Sequence, residues 1–140
     1  MSDDIRPGTA IRQIAPAELA PGPGYSHVIS VDAPGRLVAV SGQVALDATG
    51  ALVGPADLAA QTRQVFTNLA AALTAAGAGW EHVIKLGYYL VDARDVATVR
   101  TVRDEFLPAG VTPASTLVQV AALFRDDLLI EIEALAAVPA

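Results

Sequence analysis

The residues best able to do chemistry lie near the end of the chain, where Glu131 and Glu133 interrupt the apolar run 128–136. In a strand, alternate side chains point to opposite faces. Ile130, Ile132 and Ala134 then share one face, and the two carboxylates share the other. The acids would stand about 7 Å apart at the strand rise. Two readings fit: a solvated sheet face, or a polar site on a face that another subunit covers. Other chemistries are poorly supplied. There is no cysteine, hence no thiol nucleophile, disulfide or thiolate metal site. His27 and His82 lie far apart with no third ligand pattern, which argues against a metal. Ser41 has no evident His–acid pair to activate it as a nucleophile.

The elements that must hold these residues can be read from periodicity and punctuation. Residues 1–24 are rich in proline and glycine and read as a mostly extended or loop lead-in. Residues 25–31 alternate like a strand, 32–35 carry turn chemistry, and 37–41 return as the second strand of a hairpin. Residues 44–46 can extend the sheet before the turn at 47–50. From 57 to 76 the period changes to helical, with Leu58, Val65, Leu69, Leu73 and Ala76 on one stripe and Phe66 beside it. Asp57 complements the positive end of the helix, and Gly77 and Gly79 end it. A β-rich run covers 83–91. A second helix over 95–107, capped by Asp92 or Asp95, turns Val96, Val99, Val102 and Phe106 inward. Strand-like runs at 113–123 and 128–136 finish the chain. About six strands and two helices predict an α+β layer with helices on one sheet face. The other face is left for a partner.

Composition bounds the rest. The 140 residues make one domain, 1–140, with 53% hydrophobic and 17% charged residues. That is too apolar for disorder, and its apolar runs are too short to span a membrane. Low charge with a positive mean hydropathy points to surface buried in an oligomer. The net charge of −6 and the lack of a Lys/Arg cluster argue against a nucleic-acid ligand. The start, Met1 to Asp4, is acidic and no apolar segment follows, so a cytoplasmic protein is expected.

The chain resembles the RidA family, also called YjgF/YER057c/UK114. The resemblance is carried by Gly24-Tyr25-Ser26, Val40-Ser41-Gly42-Gln43, Gln61 with Asn68, Ala76-Gly77, Val83-Ile84-Lys85, Pro113-Ala114 and Ile130-Glu131-Ile132-Glu133-Ala134, in that order. It implies a chorismate-mutase-like α+β fold and a homotrimer with clefts between subunits. It also implies hydrolysis of reactive enamines and imines to keto acids and ammonia, without cofactor or metal. Residue by residue, the cleft tyrosine matches Tyr25 and the Ser–Gly pair matches Ser41 and Gly42. The glutamate that holds the attacking water matches Glu131. Leu117 stands at the backbone position that binds the substrate carboxylate, where many members have cysteine.

Two positions depart from that pattern. Ser115 stands where deaminating members carry arginine, and Arg100 where asparagine is often found. A guanidinium holds a carboxylate bidentately, whereas serine offers one neutral donor. Little 2-aminoacrylate deamination is therefore expected, with another imine, enamine or carbonyl compound as ligand. Arg100 has two readings: an i, i+4 ion pair with Asp104, or a relocated cation for an anionic ligand. Tyr25 can also serve merely to cover a sheet edge, Ser115 to start a strand, and Trp80 to pack; Glu133 reads as structural or as an interface residue. A non-catalytic binding or regulatory trimer is the alternative function. A ribonuclease, an older label of the family, is opposed by the acidic charge and the absence of a His/Lys pair.

Overall fold

A computed structural model describes residues 2–32 and 34–140. In chain order the elements are β1 (Ser2–Ile5), β2 (Ile11–Ala15), β3 (Val28–Val31), β4 (Pro34–Gln43), α1 (Leu58–Ala75), β5 (Val83–Leu90), α2 (Val96–Phe106), β6 (Ala114–Gln119) and β7 (Ile130–Pro139). Short 3-10 turns precede β5 and α2. The strands form a three-stranded sheet, β1-β2-β3, and a four-stranded sheet, β4-β7-β5-β6. Only the β5–β6 pairing is parallel among the strand pairs described. Two helices on mixed pairing make the fold α+β.

Two expectations need correction. The lead-in is extended, but as paired strands, because Ile11 and Gln13 alternate into the interior while Arg6 is buried beside them. The expected 25–31/37–41 hairpin does not form among the described residues: β3 pairs with β2, and β4 with β7. Tyr25 precedes β3, since Ser26 is committed to the start of β6 by a parallel bridge to Ala114. Ala33, in the expected turn, lies outside the described residues.

The core lies between the helices and one face of the four-stranded sheet. Val65, Phe66 and Leu69 of α1 meet Leu86 and Leu90 of β5 and Ile132 of β7. Trp80 packs here as expected, with its ring 5.7 Å from that of Phe66. Helix α1 begins where the Asp57 side chain accepts from Ala60 N at 3.0 Å, and ends before Gly77, whose φ of +70° suits a helix stop. Asp92 caps the 3-10 turn through Arg94 N rather than α2 itself, and Asp95 makes no capping bond. No helix among the described residues is long and apolar enough to cross a membrane.

Two amides on α1, the buried Gln61 and the half-buried Asn68, fix the strands that carry the acids. Gln61 donates to Gly54 O and Asp127 O and accepts from Leu129 N, so the entrance to β7 is held two residues before Glu131. Asn68 donates to Val44 O and Leu46 O, both at 3.0 Å, just after Ser41-Gly42-Gln43. The segment 44–46 leaves the sheet here, and Leu46 bridges to Leu52 instead.

Candidate functional site

The first half of the site is built by Ser26. Its N–H donates to Pro113 O at 3.1 Å, and its hydroxyl lies 2.9 Å from Thr112 Oγ1. This stitching sets Tyr25 beside β6. Tyr25, Ser115 and Leu117 then line one cavity of about 340 Å³ together with Arg100 of α2. Ser115 and Leu117 stand opposite Leu86 and Tyr88 of β5, on the face that carries the helices.

The second half lies on the other face. Glu131 alternates with the buried Ile130 and Ile132, so the shared face expected for Glu131 and Glu133 is found. The β4–β7 register breaks between Val40 and Gln43, and Ser41 and Gly42 occupy the irregularity. There a Cβ on Gly42 would stand 2.8 Å from Glu131 Cδ and 2.9 Å from its Oε1. Glycine at this place lets the carboxylate lie against the β4 backbone. Glu133 repeats the arrangement over Gly87, and accepts a 2.7 Å hydrogen bond from the Tyr89 hydroxyl. The carboxylate opposes phenolate formation and raises the pKa of Tyr89.

Seven sequence-selected residues thus fall into two groups. Tyr25, Arg100, Ser115 and Leu117 come together; so do Gly42 and Glu131, with the exposed Ser41 adjoining. The groups lie on opposite faces of one sheet, and a ligand cannot touch both within a single chain. The expected Arg100–Asp104 pair does not form. Asp104 is taken by Arg103, with Nε 3.0 Å from Oδ1, and no ion pair engages Arg100 among the described residues. Among those residues no three His, Cys, Asp or Glu side chains cluster as a metal site.

Sequence reading missed Tyr88 and Arg103, which also line the cavity. Arg103 stands three residues after Arg100, the spacing of one helix face, and that signal could have found it. Tyr88 was hidden inside an apolar strand run. Only 4% exposed, it has its hydroxyl pKa pushed well above the usual tyrosine range by burial, with the Arg103 guanidinium pulling the other way. An unfolded chain ionises this tyrosine near pH 10 and the folded one resists. The stabilising difference is complete below that pH and is lost as pH rises through the folded value. Tyr88→Phe should therefore melt with a shallower alkaline decline than the parent above about pH 10. Parallel declines of the two melting curves would assign the loss to another group.

Known proteins share this arrangement of elements. The chain matches the family described as Endoribonuclease L-PSP over residues 15–138. A RutC family protein of Synechocystis is 36% identical over 126 residues, which cover 89% of this chain and 92% of the relative. A 2-iminobutanoate/2-iminopropanoate deaminase of Mus musculus is 36% identical over 122 residues, covering 87% of this chain and 84% of the relative. The crystal structure of YyfB, a Rid-family protein of unknown function from Yersinia pestis, superposes with a TM-score of 0.83 at 37% identity, covering 92% of this chain and 99% of that one. The match runs through nearly the whole chain, in sequence and in fold, and the protein belongs to the RidA (YjgF/YER057c/UK114) family.

Proposed function

We propose that the protein hydrolyses a small imine or enamine other than 2-aminoacrylate, without cofactor or metal, in clefts between the subunits of a homotrimer. The observation that carries this reading is the division of the site. Glu131 sits over Gly42 on one sheet face, and the Tyr25–Ser115 cavity opens on the other. A second copy is what can bring the open face of one sheet to the cavity of the next. The half-exposed sheet face, with Leu37 at 62% and Val118 at 40% exposure, supplies apolar surface for that contact. The deaminase relatives support imine hydrolysis as the reaction class.

In this reading Glu131 removes a proton from water as its oxygen bonds to the imine carbon, the C=N π electrons move to nitrogen, and Glu131 hands the proton to that nitrogen. The carbinolamine hydroxyl then gives its proton back to Glu131, its O–H electrons form the carbonyl as the C–N bond breaks, and the nitrogen takes the proton and leaves as ammonia. Ser115 and the backbone at Leu117 contact the substrate, while Arg100, on α2, supplies charge to the far anionic group of a ligand longer than an α-imino acid. Without arginine at Ser115, a short α-imino acid loses a charge-assisted bond of about 1.5–3 kcal/mol, a factor of roughly 10 to 100 in binding. That same substitution favours the second reading, a trimer that binds ligands without turning them over.

Size exclusion with light scattering should give three times the 14.4 kDa chain mass. Pyruvate release from enzymatically generated 2-aminoacrylate should match free decay, whereas larger 2-imino acids made in situ should vanish faster with protein present. Chains carrying Tyr25→Ala and Glu131→Gln, each impaired alone, should regain hydrolysis when co-expressed, because a mixed trimer contains intact clefts. A monomer at micromolar concentration would sink the shared cleft, and absence of hydrolysis across the imino acids would leave the binding-only reading.

A further inference from the structure

The cavity is more basic than the chain around it. Arg100 and Arg103 both line it, no acidic side chain among the described residues does, and the whole protein carries a net charge of −6. Like charges one helical turn apart repel, so an anion between them relieves the helix.

The two arginines differ. Arg100 is exposed and unpaired among the described residues. Arg103 is recessed, with its side chain 12% exposed, and is held from three sides. Asp104, 68% exposed and outside the cavity lining, receives Nε at 3.0 Å. The buried Tyr88 hydroxyl lies beside the guanidinium. Gly24, at φ +74°, gives it room, since a Cβ there would stand 2.9 Å from Arg103 Cζ and 3.1 Å from Nη1. A side chain so fixed presents its fork with little ordering left to do on binding. An exposed arginine at the rim reaches a second group farther out. The cavity of about 340 Å³ is of small-molecule size.

We propose that Arg103 anchors one carboxylate and Arg100 a second, so that the cavity selects 2-imino or 2-oxo diacids over their monoacid counterparts. This rests on the hydrolase reading for the use of the site, though not for the binding itself. Unlike an arginine at Ser115, a cation on α2 lies across the cavity from β6, which leaves the reacting carbon free to face Glu131 of a neighbouring copy.

Calorimetric titration with 2-oxoglutarate and 2-oxobutanoate tests the selection, since both are stable ketones. The parent protein should bind the diacid at least about tenfold more tightly. Arg103→Ala should weaken both ligands by about 10- to 100-fold. Arg103→Lys, which keeps charge and bulk but not the fork, should recover part of that loss. Arg100→Ala, at an exposed position, should reduce the diacid to the affinity of the monoacid and leave the latter unchanged. Each variant is compared with the parent in mass and melting. Equal affinity of the parent for the two acids overturns the proposal, as does parental binding by Arg103→Lys and Arg100→Ala together. Equal affinity alongside Glu131-dependent hydrolysis would leave the hydrolase reading standing. Diacid selection without hydrolysis would sustain this inference and sink the hydrolase reading.

Discussion

Glu131→Gln is expected to slow imine hydrolysis by about 10²- to 10⁴-fold, the usual contribution of a positioned general base. The amide keeps the size of the side chain, so β7 keeps its pairing with β4 and β5 through Ile132 and Ala134. What it loses is the capacity to accept a proton from water. Ligand affinity should stay within about threefold, because the proposed anion site lies at the other sheet face, among groups that this change does not touch. Gly42→Ala is the companion experiment. Its new methyl would press on Glu131 Cδ from 2.8 Å, turning the carboxylate aside while leaving it charged. Rate should fall here too, and it should fall without loss of the acid. Initial rates of keto-acid formation from an imino acid that the parent accepts decide the matter. A glutamine variant as fast as the parent removes Glu131 from the mechanism.

What the sequence disclosed follows from which interactions are local. The two helices were legible because their apolar stripes have a 3.6-residue period, and α1 also carries Asp57 and Gly77 at its ends. The face shared by Glu131 and Glu133 was legible because strand alternation is a property of the backbone. Strand partners were not. The turn residues at 32–35 predict a hairpin, yet β3 joins β2, because Ile11 and Gln13 gain burial from that pairing. Nothing local announces such a choice. The division of the site was equally hidden. Motif order places Tyr25, Ser115 and Glu131 along one line of text, whereas the pleat sends Ser115 and Glu131 to opposite faces. Arg103 went unread because Asp104 was weighed only as the i, i+4 partner of Arg100, whereas the fold pairs Asp104 with Arg103. Its recessed placement depends on Gly24 and Tyr88, 79 and 15 positions away, which only the folded chain brings to it.

Arg6 governs the second large effect. It is 2% exposed, and burial lowers its pKa to about 10, so it stays charged at neutral pH. Nε donates to Gln13 Oε1 at 2.8 Å, and Nη1 donates to the carbonyls of Glu81 and Val83. Gln13 passes the connection on, accepting from Thr112 N at 2.8 Å and donating to Gly110 O at 2.9 Å. Thr112 in turn holds Ser26, which positions Tyr25. The lead-in is thereby tied to the cavity through one buried cation. Arg6→Ala should cost about 2–4 kcal/mol, since it strands the buried carbonyl of Val83 and leaves a hole. Arg6→Met should cost less, for two reasons. It fills the space, and it removes a charge whose Nη2 has no partner among the described residues and whose desolvation the fold must otherwise bear. Urea melts at one fixed protomer concentration make the comparison, because assembly would otherwise shift the midpoint by mass action. If alanine and methionine are equally destabilising, the hydrogen bonds carry the whole effect and packing at this position counts for nothing. If alanine is as stable as the parent, the lead-in is held by β1–β2–β3 pairing alone and the relay to Tyr25 is incidental.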